Sequence, residues 1–471
     1  MLQKLNFIYL FLALFPFNIS GSVIKGYEPD YAGRNINFYV YADPITKTEK
    51  SIFSILINNN GQFSRQVEVK ETTVCYADFD VYSTMLILEP TKTVKIKLPP
   101  LREKTFSEQK NPYFKPMKLW IMVDSKDESE INKVCSGFEK QFNALTDKYF
   151  NQLYFRQSKP ILDTVTNQLR NDFQTFSNPF VRNLINFKLK ILEGEVMRQN
   201  QDKLLAELKP ATFSYFNPGL IDLIDRIYSN KLVFETNSIR GSVLRDSINN
   251  GNLSTLKEFV RGKYGLQPGV DEFLILKLLH DAFYSGNFSK QAILAMLRQD
   301  TFTKNNDLEI RDFANSIITK LVYLEPGTRA PEICLSGLNN EVICTGESQA
   351  FKYLIFVDME IQICREHLKY LPVITSKYKD NLDVFIIIVN KNSEKINDFI
   401  ESNNISGKIL FDNETDNYSK KYRVRSFPSC ILLSKNHDVI LTSAKSPLDG
   451  FENQFGSFLK KEYLNQQRNQ R

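Results

Sequence analysis

Six cysteines and three histidines are the residues of this 471-residue chain able to do nucleophilic, redox or metal chemistry, and their spacing narrows what that chemistry is. The thiols are Cys75, Cys135, Cys334, Cys344, Cys364 and Cys430, and no two stand at the Cys-x-x-Cys interval of a redox dithiol. His280, His367 and His437 lie far apart, and apart from Cys364 three residues before His367 no Cys or His stands at ligand spacing around them, so no metal site is expected, and no cofactor either. Cys334 and Cys344 flank a turn at Leu338-Asn339-Asn340, which brings them together across a hairpin. A disulfide and a pair of buried small hydrophobes are the two readings there. Six thiols are few for this length, so disulfides are supports rather than the framework, and Cys75 and Cys135, in different domains, receive no role.

Composition sets the frame for these positions. Hydrophobic residues at 42% and charged residues at 24% are globular values that exclude disorder and a multi-span membrane protein. The formal charge of +6 is spread along the chain without a Lys/Arg stripe, finger or RNP motif, so nucleic acid is not an expected partner. At the N-terminus Lys4 precedes an apolar run from Phe7 to Phe17 and then Ser20, Gly21 and Ser22, the layout of a cleaved secretory signal peptide. The run is short of the roughly 20 residues of a membrane span, and an uncleaved anchor is the alternative. No lipid-anchoring Cys follows and no second span appears downstream. The mature chain is therefore expected to be secreted or periplasmic.

Four segments follow: signal peptide 1–22, a β-sandwich 23–123, an all-α domain 124–325 and an α/β domain 326–471. Strand patterns run over Ile36 to Tyr41, Ser51 to Ile57, Met85 to Leu88 and Val94 to Leu98, with a turn at Asn59-Asn60-Gly61. The polar stretch Glu103 to Lys115 suits a linker before a last strand at Lys118 to Val123. The period then becomes helical: Ile131, Val134, Phe138, Phe142, Leu145 and Tyr149 share one face, and Ile161, Val165, Leu169 and Phe173 another. Helical stretches continue to Leu321 without a fixed repeat, and Glu325-Pro326-Gly327 ends them. Beyond it strands are expected at Tyr353 to Val357 and Val384 to Val389, and helices at Gln362 to Tyr378 and Ser393 to Ile400. A hairpin of Cys430 to Leu433 with Val439 to Thr442 and a helix Leu448 to Leu464 complete a mixed sheet with helices on both faces.

Three places in this last domain carry a family resemblance. They are Ala330-Pro331-Glu332-Ile333 leading into the Leu338 turn, the strand and helix around Cys364, and Val424-Arg425-Ser426-Phe427-Pro428 before the next strand. In that order, from about Ala330 to Phe458, the chain resembles the TlpA-like thioredoxins of the bacterial envelope. The preceding β-rich and helical domains resemble those of a set of envelope proteins from Bacteroidetes-type bacteria. The resemblance implies a thioredoxin-like fold and thiol-disulfide exchange by a Cys-x-x-Cys pair on the first turn of a helix, the first sulfur attacking as thiolate and the second resolving the mixed disulfide.

That pair is incomplete in either of two registers. Counting from Phe356, the first thiol falls on Ile361 and the second on Cys364, with Glu360 where a Trp commonly sits. Counting from Pro372, five residues after His367, Cys364 becomes the first thiol of a Cys-x-x-His, with His367 one turn on to stabilise a thiolate. Loop length favours the first. Pro428 matches the family's cis-proline, which implies a surface that pairs with an extended substrate; an ordinary loop proline is the other reading. Cys430, two residues past Pro428, is a possible non-adjacent partner of Cys364. Glu360, Arg365 and Glu366 read as a solvated helix start. The expected function is therefore a binding or scaffold module for a protein or peptide partner in the cell envelope. The alternative is an oxidoreductase or antioxidant protein using Cys364 as a single thiol.

Overall fold

A computed structural model describes residues 21–389, 394–413 and 416–469. The leader read over residues 1–22 lies outside these except for Gly21 and Ser22, and among the described residues no helix is long and apolar enough to cross a membrane. Two compact units result, one of Met1–Glu103 with Lys115–Ile317, the other of Lys104–Phe114 with Ile318–Arg471.

Among the described residues the first unit has nine strands ahead of its main helices: β1 (Ser22–Tyr27), β2 (Asn35–Tyr41), β3 (Glu49–Leu56), β4 (Gln62–Val67), β5 (Thr73–Phe79), β6 (Tyr82–Leu88), β7 (Thr93–Lys97), β8 (Met117–Trp120) and β9 (Met122–Val123). They form two sheets of order β4-β1-β7-β9 and β3-β2-β5-β6-β8. Inward residues such as Ile24, Phe38, Phe53, Leu86 and Ile96 fill the space between them. In β5 this rule is hidden, because both of its faces are covered. Cys75 and Ala77 point into the sandwich, while Val74 and Tyr76 point outward and are buried under helices, together with Ile131, Val134 and Phe138 of helix Ile131–Lys148. That helix also supplies Asn132, whose Oδ1 accepts the Ile87 N–H at 2.7 Å and whose Nδ2 donates to the Ile87 carbonyl at 2.9 Å. A side-chain amide thus satisfies backbone groups that a neighbouring strand would otherwise pair. The sandwich and the helices share this core, so residue 123 separates two kinds of structure within one unit rather than two independent bodies.

The second unit holds β10 (Cys334–Ser336), β11 (Val342–Cys344), β12 (Phe351–Val357), β13 (Leu382–Ile388), β14 (Lys408–Phe411), β15 (Ser429–Leu433) and β16 (Val439–Leu441). Its main sheet runs β14-β13-β12-β15-β16, the first three strands parallel and the last two antiparallel to their neighbours. Every residue of β12 is buried, as a central strand covered on both faces requires. Tyr353, Ile355 and Val357 enter one core, Leu354 and Phe356 the other. This is a thioredoxin-like layout, with one departure from the expected layering. Helices Gln362–Lys369, Leu371–Lys377, Glu394–Ser402 and Phe451–Asn469 feed the same core, while the β10–β11 hairpin and the short helix Tyr418–Lys421 line the other. The parallel strands advance in one direction from β12 to β13 to β14, and with the usual crossover hand that keeps their helices on one side.

Two further elements differ from the sequence reading. The helix expected over Gln362 to Tyr378 is broken at Tyr370, because Pro372 has no N–H to continue the ladder. The Glu103 to Lys115 stretch, read as linker, carries a helix at Phe106–Lys110 with a capping box between Thr105 and Glu108, and its contacts group it with the second unit.

Candidate functional site

Strand β12 ends at Val357, and a short loop delivers the chain to helix Gln362–Lys369. The loop is tied by its own Asp358, whose carboxylate accepts the Glu360 N–H at 3.0 Å and whose carbonyl accepts the Ile361 N–H at 3.1 Å. Arg365 donates to the Met359 carbonyl at 2.5 Å, so this member of the charge cluster holds the loop rather than facing water alone. Ile361 is the residue that precedes the helix, and no side chain caps that end. Cys364 is the third helical residue and is fully buried.

A thiol in that place is a poor nucleophile. Burial pushes the Cys364 thiol up to about 11, against the opposing pull of the Asp358 backbone N–H. Cys430, opposite Ile355 across β12 and β15, faces the same core and is pushed up to about 12 by burial. Cys364 adds to the rise at Cys430, yet both are free thiols, so the non-adjacent couple raised from the sequence is not formed here. His367 does not serve the sulfur either. Its Nδ1 accepts the Leu448 N–H at 3.2 Å and its Nε2 lies 3.8 Å from the Asp449 carboxylate, which ties it to the turn before the last helix.

The Phe427–Pro428 peptide is cis and leads directly into β15. Because Phe356 pairs with Ser429, this loop and the helix entrance meet at the same end of the sheet. Among the described residues, Arg425, Ser426 and Phe427 make no backbone hydrogen bond. Cys334 and Cys344 stand opposite each other in the β10–β11 hairpin and form a disulfide. Their sulfurs and a Glu332 carboxylate oxygen gather within 4.8 Å, but bonded sulfurs offer no thiolate to a metal. Cys75 and Cys135 are buried in the two cores of the first unit.

Two buried histidines give the second unit a pH dependence. Burial lowers the pKa of His367 and His437 below the ordinary value of 6.5, so both are neutral when folded and protonate more readily when unfolded. The unfolded chain then binds more protons below about pH 6.5, and stability falls as pH drops through that region toward the depressed folded values. Urea midpoints of this unit measured against pH should show the fall, and His367→Gln with His437→Gln should flatten it. A wild-type midpoint that rises on acidification would contradict the assignment.

No protein-family model matches the chain, and no curated protein does. Solved structures do. A thiol:disulfide interchange protein DsbE from Chlorobium tepidum is 21% identical over 25% of this chain and 83% of its own, with a TM-score of 0.23. The thioredoxin domain of a thiol-disulfide oxidoreductase from Bacteroides vulgatus is 17% identical over 28% and 97%, at 0.27. A domain of a thiol-disulfide isomerase from Cytophaga hutchinsonii is 20% identical over 30% and 99%, at 0.25. The thioredoxin-like description of the second unit rests on its own strand order and connections.

Proposed function

We propose that this chain is a thioredoxin-like binding or scaffold module of the TlpA-like kind, secreted or periplasmic, that recognises a protein or peptide partner without exchanging disulfides. The observation that carries the reading is Ile361 at the helix entrance with Cys364 sealed one turn inside it. Exchange needs an exposed attacking thiolate, and neither position supplies one. The free backbone of Arg425 to Phe427 beside Pro428 supports binding of an extended peptide, because unpaired main-chain groups at a strand start invite strand addition. The opposing single-thiol reading requires Cys364 to react. Burial pushes that thiol up to about 11, so it stays overwhelmingly protonated near neutral pH, before access is considered.

Alkylation separates the readings. Iodoacetamide applied to the native protein near neutral pH should leave Cys364 unmodified by peptide mass mapping, and the protein should not reduce insulin above the dithiothreitol background. Rapid labelling of Cys364, or insulin reduction lost in Cys364→Ala, would overturn the proposal in favour of an enzyme.

A further inference from the structure

The loop before the redox-type helix already carries an occupant from the same chain. Lys110, at the end of helix Phe106–Lys110 and 248 positions before Asp358, places its Nζ 2.5 Å from Asp358 Oδ2 and 2.6 Å from Glu360 Oε2. The Asp358 side chain is 2% exposed and that of Lys110 16%. A carboxylate so buried depends on nearby positive charge, and the pairing is costly to break once water is excluded. Burial alone would lower the Lys110 pKa, but bonds to Asp358 and Glu360 outweigh it and hold it raised.

The acceptor is not an incidental surface acid. Asp358 is the residue that ties the loop to Glu360 and Ile361, and its backbone N–H pulls against the burial that raises the Cys364 pKa. The donor is equally well prepared. The Thr105–Glu108 capping box fixes the short helix, and the Lys110 ammonium also lies 5.2 Å from the centre of the Phe106 ring. Phe106 itself remains 64% exposed.

We propose that Lys104–Phe114 is a built-in occupant of this face, a basic helical turn seated on Asp358 and Glu360 that an external partner must displace to reach the helix entrance. The face left open by that displacement is acidic, so the partner it fits carries a cation beside an aromatic ring, as Lys110 and Phe106 do. The inference deepens the binding reading above.

Hydrogen–deuterium exchange on the full-length chain tests it without any added partner. In Lys110→Glu, the Ile361 and Cys364 amides and those of residues 105–110 should exchange at least about tenfold faster, the effect expected of a broken buried pair. Lys110→Arg and Lys104→Glu should stay within about twofold of wild type, since the first keeps the charge and the second lies off the contact. Continued resistance of Cys430 to alkylation shows that the unit is folded in each variant. A synthetic peptide spanning Lys104–Phe114, added to Lys110→Ala, should restore protection, and the same peptide carrying Lys110→Glu should not. Unchanged exchange in a folded Lys110→Glu variant overturns the proposal while leaving the binding reading standing; dithiol activity would remove that reading without touching this result.

Discussion

Ile361→Cys should place a second thiol at the helix entrance and give a dithiol that closes and exchanges. The substitution creates Cys-Gln-Ile-Cys at the end of a strand and the start of a helix, with the new sulfur ahead of the first turn and Cys364 as the buried resolving partner. At the positive end of the helix the introduced thiol ionises more readily than Cys364, whose burial holds it at about 11. On oxidation by glutathione disulfide the two thiols should lose two electrons and two protons and form one bond. A glutathione titration should place the couple between about −270 and −120 mV, the span of natural Cys-x-x-Cys proteins. Insulin reduction should rise from background to a readily measured rate and vanish again in Ile361→Cys with Cys364→Ala. Two thiols that stay free after oxidation would show that the helix entrance lacks dithiol geometry.

The second large effect is on stability. Phe451, fully buried, stacks on Tyr353 of the central strand with ring centroids 3.6 Å apart and on Phe455 at 5.7 Å. Tyr353 in turn donates its hydroxyl to the Lys445 carbonyl at 2.7 Å, so this ring stack joins the C-terminal helix to the sheet. Phe451→Ala should cost the second unit about 3–5 kcal/mol, the usual penalty for emptying a buried aromatic site. Tyr463→Ala on the same helix, where the side chain is 63% exposed, should stay within about 0.5 kcal/mol. The lone tryptophan, Trp120, lies in the first unit, so its fluorescence does not follow this change. Urea-dependent alkylation of Cys430, read by peptide mass, reports the second unit directly. A loss below about 1 kcal/mol would mean that the stack contributes little to holding the helix.

How far the sequence discloses this architecture depends on whether a signal is local. The Cys334 and Cys344 turn, the strand at Tyr353 to Val357 and the hairpin about Asn436 are written in contiguous residues, and each element is found where those residues stand. Strand β5 is not legible that way, since Thr73–Phe79 is buried on both sides and loses the alternation that marks a half-covered strand. Strand β14 has four residues, too few to show any period. The helix at Phe106–Lys110 had a readable mark in Thr105-Phe106-Ser107-Glu108, a capping box inside a stretch otherwise dominated by polar residues and Pro112. What no local pattern contains is long-range pairing. Lys110 on Asp358, Asn132 on Ile87 and His367 on Leu448 are each consequences of the assembled fold.

The path of the chain also limits how the molecule can be cut. It crosses between units after Glu103, Phe114 and Ile317, so a fragment starting at 318 omits Lys110. Such a fragment would contain Asp358 deprived of an ammonium that the intact polypeptide provides. Dissection of the C-terminal portion should therefore graft Lys104–Phe114 onto its front through a flexible spacer, and any comparison of fragment with parent should be made with that graft in place.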